Sequence, residues 1–143
     1  MKIISILCFL SISFSQDIDK HSVFIKAQYV PTVGAEFKLS QKISLRPSIM
    51  ATISNNSSFI VNAALIFNTK SESLLTKYIG TNFTYESSLD GIYAGLLAGV
   101  KTNINNKIGV FGEIGLDVGL FGDGIESIGL QNTGVGINYF LGK

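Results

Sequence analysis

The sequence predicts an all-β fold, an eight-stranded antiparallel up-and-down transmembrane β-barrel, and three observations carry this prediction. Segments of strand length alternate between uncharged residues and residues that include nearly all the charges of those segments. Short stretches rich in Ser, Asn, Asp, Gly and Pro separate these segments. Mean hydropathy is +0.38 and only 15% of residues are charged, yet no apolar run after the first fifteen residues could span a bilayer as a helix. High hydropathy diluted by alternation is typical of membrane barrels.

Eight strand segments follow one another along the chain, each bounded by turn-forming residues. They cover residues 22–30, 33–39, 42–54, 58–68, 77–86, 91–103, 107–121 and 129–142. The breaks between them are predicted as turns at 30–32, 40–41, 55–57, 69–76, 87–90, 104–106 and 122–128. No linker or repeat beyond this hairpin rhythm is present.

In every predicted strand, alternate positions form one uncharged face, because side chains point to opposite sides of a strand at successive residues. Lys77, at the very start of the fifth strand, has the same parity but is left out because it could reach water there; the remaining forty positions include no charged residue and only two threonines. In chain order they are Val23, Ile25, Ala27, Tyr29; Val33, Ala35, Phe37, Leu39; Ile43, Leu45, Pro47, Ile49, Ala51, Ile53; Phe59, Val61, Ala63, Leu65, Phe67; Ile79, Thr81, Phe83, Tyr85; Ile92, Ala94, Leu96, Ala98, Val100; Ile108, Val110, Gly112, Ile114, Leu116, Val118, Leu120; and Thr133, Val135, Ile137, Tyr139, Leu141. Such a face suits the lipid side of a closed barrel.

The opposite face of the predicted strands carries the charges and is expected to line the lumen. Three-residue loops at 30–32 and 40–42 predict Lys26 opposite Glu36, and Glu36 opposite Arg46. Buried charges must be paired, since an isolated buried charge is very costly. Across the lumen, Lys101 and Lys38 are expected to be the counterions of the remaining acids. The predicted structural network, which plugs the lumen and fixes strand register, comprises Lys26, Glu36, Lys38, Arg46, Lys101, Glu113 and Asp117.

The first fifteen residues are predicted to be a cleaved secretory signal, and residues 16–143 a single outer-membrane barrel domain. Lys2 provides the positive start, and an apolar run too short to span a bilayer follows it. Cleavage before Gln16 would remove Cys8, so the mature chain would have no cysteine for disulfides or thiol catalysis. It would also have ten basic and ten acidic residues, a balance that does not favour nucleic acid.

No enzyme, cofactor or metal site is predicted. The single histidine, His21, stands at the start of the first strand, where we expect it to be exposed. Glu113 and Asp117 are four residues apart on one strand face, roughly 13 Å, too far for a joint acid–base pair. No zinc spacing, phosphate-binding loop or dinucleotide fingerprint occurs. The acids of loops 86–91 and 121–128 are interpreted as solvated turn charges, in preference to a cation site that bridges lipopolysaccharide.

The hairpin Val33-Gly-Ala-Glu-Phe-Lys-Leu-Ser-Gln-Lys-Ile-Ser-Leu-Arg-Pro47 resembles one common in small bacterial outer-membrane β-barrel proteins of the OmpA/OmpX type. In that family a Gly-x-x-Glu-aromatic strand turns into a basic-x-Ser-Leu-x-Pro strand; here Glu36 follows Gly34 by two residues. The final segment, 134–141, is similar to the family's closing strand, which the barrel-assembly machinery recognises. The resemblance implies an eight-stranded barrel and no particular ligand or reaction.

These observations together predict an integral barrel of a Gram-negative outer membrane, with a side-chain-filled polar lumen and a structural or interaction role. Its expected partners are outer-membrane lipid and lipopolysaccharide, with the barrel-assembly machinery during insertion. Two alternatives stay open. One is a small ion or solute channel or transporter. The other is a soluble periplasmic barrel that binds a lipophilic ligand, which would require the apolar face inside.

Overall fold

The computed structural model describes residues 21–52, 58–69, 74–88, 90–121, 124–130 and 132–142, so the predicted signal segment and Ile53 lie outside the described residues. The strands are β1 (His21–Ala27), β2 (Thr32–Lys38), β3 (Ile43–Thr52), β4 (Ser58–Asn68), β5 (Thr76–Glu86), β6 (Gly91–Asn103), β7 (Ile108–Phe121), β8 (Gly124–Gly129) and β9 (Gly134–Phe140). The first seven agree with the predicted segments to within three residues at each end. In the described part of the chain, no helix is long and apolar enough to cross a membrane.

The strands form one closed antiparallel barrel. From β1 to β7, each strand pairs with the next one along the chain. β9 then pairs with both β7 and β1 and closes the sheet, while β8 pairs with the last residues of β7. β8 and β9 therefore occupy the eighth position together. The predicted eight-stranded antiparallel barrel is confirmed.

The eighth position differs from the prediction of one continuous strand over 129–142 preceded by a turn. Asp117 on β7 pairs with Gly129, and Glu113 pairs with Gly134. Between these two pairs, β7 has three residues, 114–116, whereas the segment that joins β8 to β9 has four, 130–133. One extra residue makes this interruption a β-bulge in effect, which reverses the alternation along the strand. Accordingly, even-numbered Ile128 is exposed before the bulge and odd-numbered Ile137 after it.

The predicted uncharged face lies on the outside of the barrel. The structure describes thirty-nine of its forty positions, and none of them is buried. Side chains of the opposite parity fill the interior, which mixes charged and amide groups with apolar ones. The apolar part of that interior consists of Phe24, Met50, Ala64, Ile66, Tyr78, Tyr93, Leu97 and Phe111. An apolar surface around a polar core is the reverse of a soluble barrel.

The two ends of the barrel are referred to below as the termini end and the far end. β1 begins and β9 ends at the termini end, where the connections 39–42 and 104–107 and the residues Thr69, Leu74 and Leu75 also lie. The far end carries the connections 28–31 and 87–90 and the start of β8. These two names do not depend on the orientation in a membrane.

Replacing Gly136 with alanine is expected to destabilise the barrel by about 1–3 kcal/mol, as overpacking does. A Cβ at this position would collide with the ring of Phe111 and lie 2.7 Å from the main-chain oxygen of Ile25. Gly112 is a matched control on the neighbouring strand, since a Cβ there would lie 3.8 Å from Val135 Cγ1. Urea unfolding in lipid vesicles would compare the two variants. Equal stabilities would mean that Phe111 does not lie over Gly136.

Candidate functional site

The carboxylate of Glu113 is the centre of a buried ion network. Lys26 Nζ donates a hydrogen bond to Glu113 Oε1 at 2.7 Å. Arg46 Nη1 donates to Oε2 at 2.7 Å, and Tyr78 Oη donates to the same oxygen at 2.8 Å. The donors come from β1, β3 and β5, while Glu113 lies on β7. One carboxylate therefore connects four strands around the barrel.

Arg46 joins Glu113 to a second buried carboxylate, that of Glu36. Its Nη2 donates to Glu36 Oε2 at 3.0 Å, and Lys101 Nζ donates to the other oxygen, Oε1, at 2.8 Å. The network thus contains three cations and two carboxylates. All of these side chains are buried except that of Lys101, which is partly exposed. Charge-assisted hydrogen bonds of this kind compensate for the loss of hydration inside the barrel.

Three aromatic rings surround the Arg46 guanidinium. Its Cζ lies 5.4 Å from the ring centroid of Phe24, 5.3 Å from that of Tyr78 and 4.9 Å from that of Phe111. A cation within about 6 Å of an aromatic face is attracted by the ring quadrupole, and Arg is the usual partner. The ion network and these rings together are called the plug below: Lys26, Glu36, Arg46, Lys101, Glu113, Phe24, Tyr78 and Phe111.

Each ring of the plug lies over a glycine that pairs with it on the adjacent strand. Phe24 pairs with Gly34, Tyr78 with Gly99, and Phe111 with Gly136. A Cβ on any of the three glycines would come within 2.5 Å of the ring opposite. The glycines therefore provide the space that lets large rings turn inward in a narrow barrel.

The structure brings together five of the seven residues of the predicted network: Lys26, Glu36, Arg46, Lys101 and Glu113. Lys38 is exposed at the termini end and forms no ion pair with another described residue. Asp117 lies apart from the plug, and amides, not lysines, are its partners. The expected pairing of Glu113 and Asp117 with Lys101 and Lys38 is therefore wrong: Lys101 binds Glu36.

The predicted register is correct for one hairpin and wrong for the other. β2 and β3 pair as predicted, with Lys38 opposite Ser44, a register that places Glu36 opposite Arg46. In the first hairpin, however, Lys26 lies opposite Thr32, and Glu36 lies opposite Ser22. The connection between β1 and β2 is longer than the three residues assumed, so the strands slip by an even number and keep their parity. Lys26 consequently reaches Glu113 across the lumen.

Sequence reasoning missed the aromatic members of the plug. The sequence signal that could have identified them was their inward parity, which is shared by Phe24, Tyr78 and Phe111. The predicted exposure of His21 is also wrong, since this residue is buried and its ring packs edge-on against Phe37 at 5.2 Å. Within the described residues, no group of three or more His, Cys, Asp or Glu side chains could hold a metal ion.

A second polar group, called the amide cluster below, fills the interior on the far-end side of the plug. Asn82 Nδ2 donates to Asp117 Oδ1 at 2.5 Å, and Asn132 Nδ2 lies 3.3 and 3.2 Å from Oδ1 and Oδ2 of the same carboxylate. Asn62 Nδ2 donates to Thr84 Oγ1 at 2.6 Å. All five side chains are buried. The lumen is thus occupied by charges in one layer and amides in the next.

Of the acids in the far-end loops, Glu86 and Asp90 belong to the described residues. Glu86 accepts a hydrogen bond from Ser88 at 2.8 Å, and Asp90 accepts one from Tyr85 Oη at 3.1 Å. Asp123 and the side chain of Glu126 lie outside the described set. The two described acids thus have local turn partners, the kind of arrangement expected of turn charges.

A closed antiparallel barrel with a mostly apolar exterior and a charged interior defines the class of small outer-membrane-type β-barrels. Two solved structures share this fold. The N-terminal β-barrel domain of Pseudomonas aeruginosa OprF matches with a TM-score of 0.55 and 15% identity, over 83% of this chain and 93% of that one. Neisserial surface protein A (NspA) matches with a TM-score of 0.51 and 12% identity, over 84% and 92%. No protein-family model and no curated protein matches the chain.

Proposed function

We propose that this chain is an integral outer-membrane β-barrel of a Gram-negative bacterium, with a structural or interaction role and a lumen closed by side chains. The plug carries this proposal. Arg46, on β3, is held by two carboxylates and three rings, which come from four other strands around the barrel. Eight strands leave an interior that side chains just fill. The plug and the amide cluster occupy that interior, which argues against an open pore.

The distribution of apolar and charged side chains supports a lipid environment. Exposed large apolar residues occur on all the strands whose side chains are described, while the charges of the plug lie inside. A soluble protein with such a surface would aggregate, because exposed apolar patches of this extent drive association. The same observation disfavours a soluble barrel for a lipophilic ligand, which needs an apolar interior. In this proposal lipid and lipopolysaccharide surround the barrel, and the barrel-assembly machinery inserts it.

The polar interior also favours a non-catalytic role. The buried carboxylates of Glu36 and Glu113 are each held by two cations, an arrangement that fixes them, so neither is free to act as a base beside a nucleophile. Placing the termini end in the periplasm, as in the sequence-based prediction, leaves short connections such as 28–31 and 87–90 at the cell surface. Short loops suit contacts made by the barrel itself better than those of a large adhesin.

Two linked measurements test the proposal. We expect the protein in the outer-membrane fraction, with a gel band that shifts on boiling, as a folded barrel does. In planar lipid bilayers the folded protein is expected to show no steady conductance, because the plug blocks the lumen. Arg46→Ala tests the role of the plug in the same assay. A soluble protein without a heat shift would contradict the membrane assignment, whereas steady wild-type conductance altered by Arg46→Ala would favour the channel.

A further inference from the structure

Asp117 differs from the other two buried carboxylates of the lumen. It is 1% exposed, and no lysine or arginine among the described residues forms an ion pair with it. Its partners are the neutral amides of Asn82 and Asn132. Glu36 and Glu113, by contrast, each have two cationic partners. A buried carboxylate without a counterion is costly, so this position calls for a positive charge that the described part of the chain does not provide.

Local backbone features create a niche around this carboxylate. Gly95 pairs with Asp117 on the adjacent strand, and a Cβ there would collide with Oδ1. A Cβ on Gly115 would lie 2.7 Å from Asn132 Cβ, so this glycine makes room for the inward-turned residue of the bulge. Bulges commonly re-aim a side chain in this way. Two glycines and an interrupted strand thus hold one acid between two amides.

The niche also contains an oxygen without a partner. Asn82 is 1% exposed, and its Oδ1 has no hydrogen-bond partner among the described residues, although its Nδ2 contacts Asp117. This oxygen belongs to the same amide group that touches the carboxylate, so it lies beside Asp117. Buried polar atoms are nearly always satisfied, and an exception points to an ion or water that the site receives.

A cavity at the far end reaches Asn132, one of the two amides that contact Asp117. It has a volume of about 600 Å³ and is lined by Gln28, Thr84, Glu86 and Asn132, among others. Asn132 therefore faces the cavity and contacts Asp117. The half-buried Glu86 places a second negative charge on this route. A cleft lined by one sign of charge concentrates ions of the other sign.

We propose that Asp117 binds a single hard metal cation that enters from the far end, with Ca²⁺ as the best fit. The Asp117 carboxylate, Asn82 Oδ1 and, after a half-turn of its amide, Asn132 Oδ1 are oxygen ligands of the kind that Ca²⁺ accepts. Water would supply the rest of an irregular coordination shell. Mg²⁺ fits less well, because it requires near-ideal octahedral geometry and loses its water reluctantly. This inference goes beyond the proposed function and does not depend on whether the barrel conducts.

Calorimetric titration of CaCl₂ into the refolded protein in detergent tests the proposal. One Ca²⁺ per chain is expected to bind, and Asp117→Asn is expected to abolish the binding while keeping the hydrogen-bonding shape. Asp90→Asn is the matched control, since it removes one exposed carboxylate at the same end, where φ is 47° and asparagine is tolerated. This control is expected to bind Ca²⁺ like the wild type.

A second measurement applies if Asp117→Asn fails to fold. Ca²⁺ should then raise the temperature at which the wild-type gel band loses its folded mobility, since a ligand that binds only the folded state stabilises it. Asn132→Ala, which leaves the carboxylate in place, should lose most of that shift. Absence of Ca²⁺ binding to the wild type would overturn the proposal, and so would equal binding to Asp117→Asn. Loss of binding in Asp90→Asn would place the ion at the turn and would overturn it as well.

Discussion

Leu116→Arg is expected to remove most of the folded barrel. Leu116 lies near the middle of β7, is 50% exposed on the outer face and pairs with Leu96, which is also exposed. If this face contacts lipid, an arginine there lies near the centre of the bilayer. Arginine at the bilayer midplane of a barrel costs about 2–4 kcal/mol. That is a large share of a stability that is typically about 5–15 kcal/mol for a native protein.

The yield of heat-modifiable protein after refolding into lipid vesicles is the measurement for Leu116→Arg. Ile104→Arg is the matched control, because Ile104 is 65% exposed but lies in the connection 104–107 at the termini end. The same change in charge is expected to be tolerated there, at the water interface. If both variants fold as well as the wild type, the outer face does not contact lipid.

Glu113→Gln is expected to destabilise the barrel by about 3–5 kcal/mol, the range for removing one partner of a buried ion pair. The substitution keeps the size of the side chain and removes its charge. Lys26 then loses its only ion-pair partner among the described residues, and Arg46 keeps Glu36 alone. The large effect comes mainly from the uncompensated cations that are left inside.

Urea unfolding in vesicles would measure the change in the free energy of unfolding. Adding Lys26→Met to Glu113→Gln should recover part of the loss, because the double variant leaves one cation fewer without a partner. Glu86→Gln is the control at a half-buried strand end, where the expected effect is below about 1 kcal/mol. A single variant as stable as the wild type would show that the network contributes little.

Alternation in the sequence was sufficient to predict the barrel and which side chains face inward, since one face over forty positions was free of charge. It could not predict register, because a slip by two residues leaves every side chain on its face. That is why Lys26 was assigned to Glu36 and is found on Glu113. Contacts across the lumen depend on the stagger of strand register around the closed barrel, and a local sequence pattern does not determine this stagger.

The bulge at 130–133 was hidden for a related reason. The sequence from 127 to 141 contains no charged residue. The reversal of parity between Ile128 and Ile137 therefore places no charge on the outer face, and the sequence gives no sign of the bulge. Asn132 itself keeps the inward parity of the predicted eighth strand. The opposing Gly115 was visible in the sequence, but a strand glycine also fits curvature or close packing. The contacts within the amide cluster depend on register, so they could not be predicted, whereas most members of the ion network could.

The pairing of β1 with β9 has a consequence for how the protein assembles. Until these two strands meet, the sheet has two open edges whose amide and carbonyl groups lack partners, an arrangement that hydrocarbon does not tolerate. The contact between Lys26 and Glu113 spans 87 residues and joins strands on either side of that seam. Ring closure and neutralisation of the interior charges thus depend on the same late, non-local event. Folding should be highly cooperative for this reason. When β9 pairs with β1, the last backbone hydrogen bonds of the barrel wall form together with the ion pairs in the lumen.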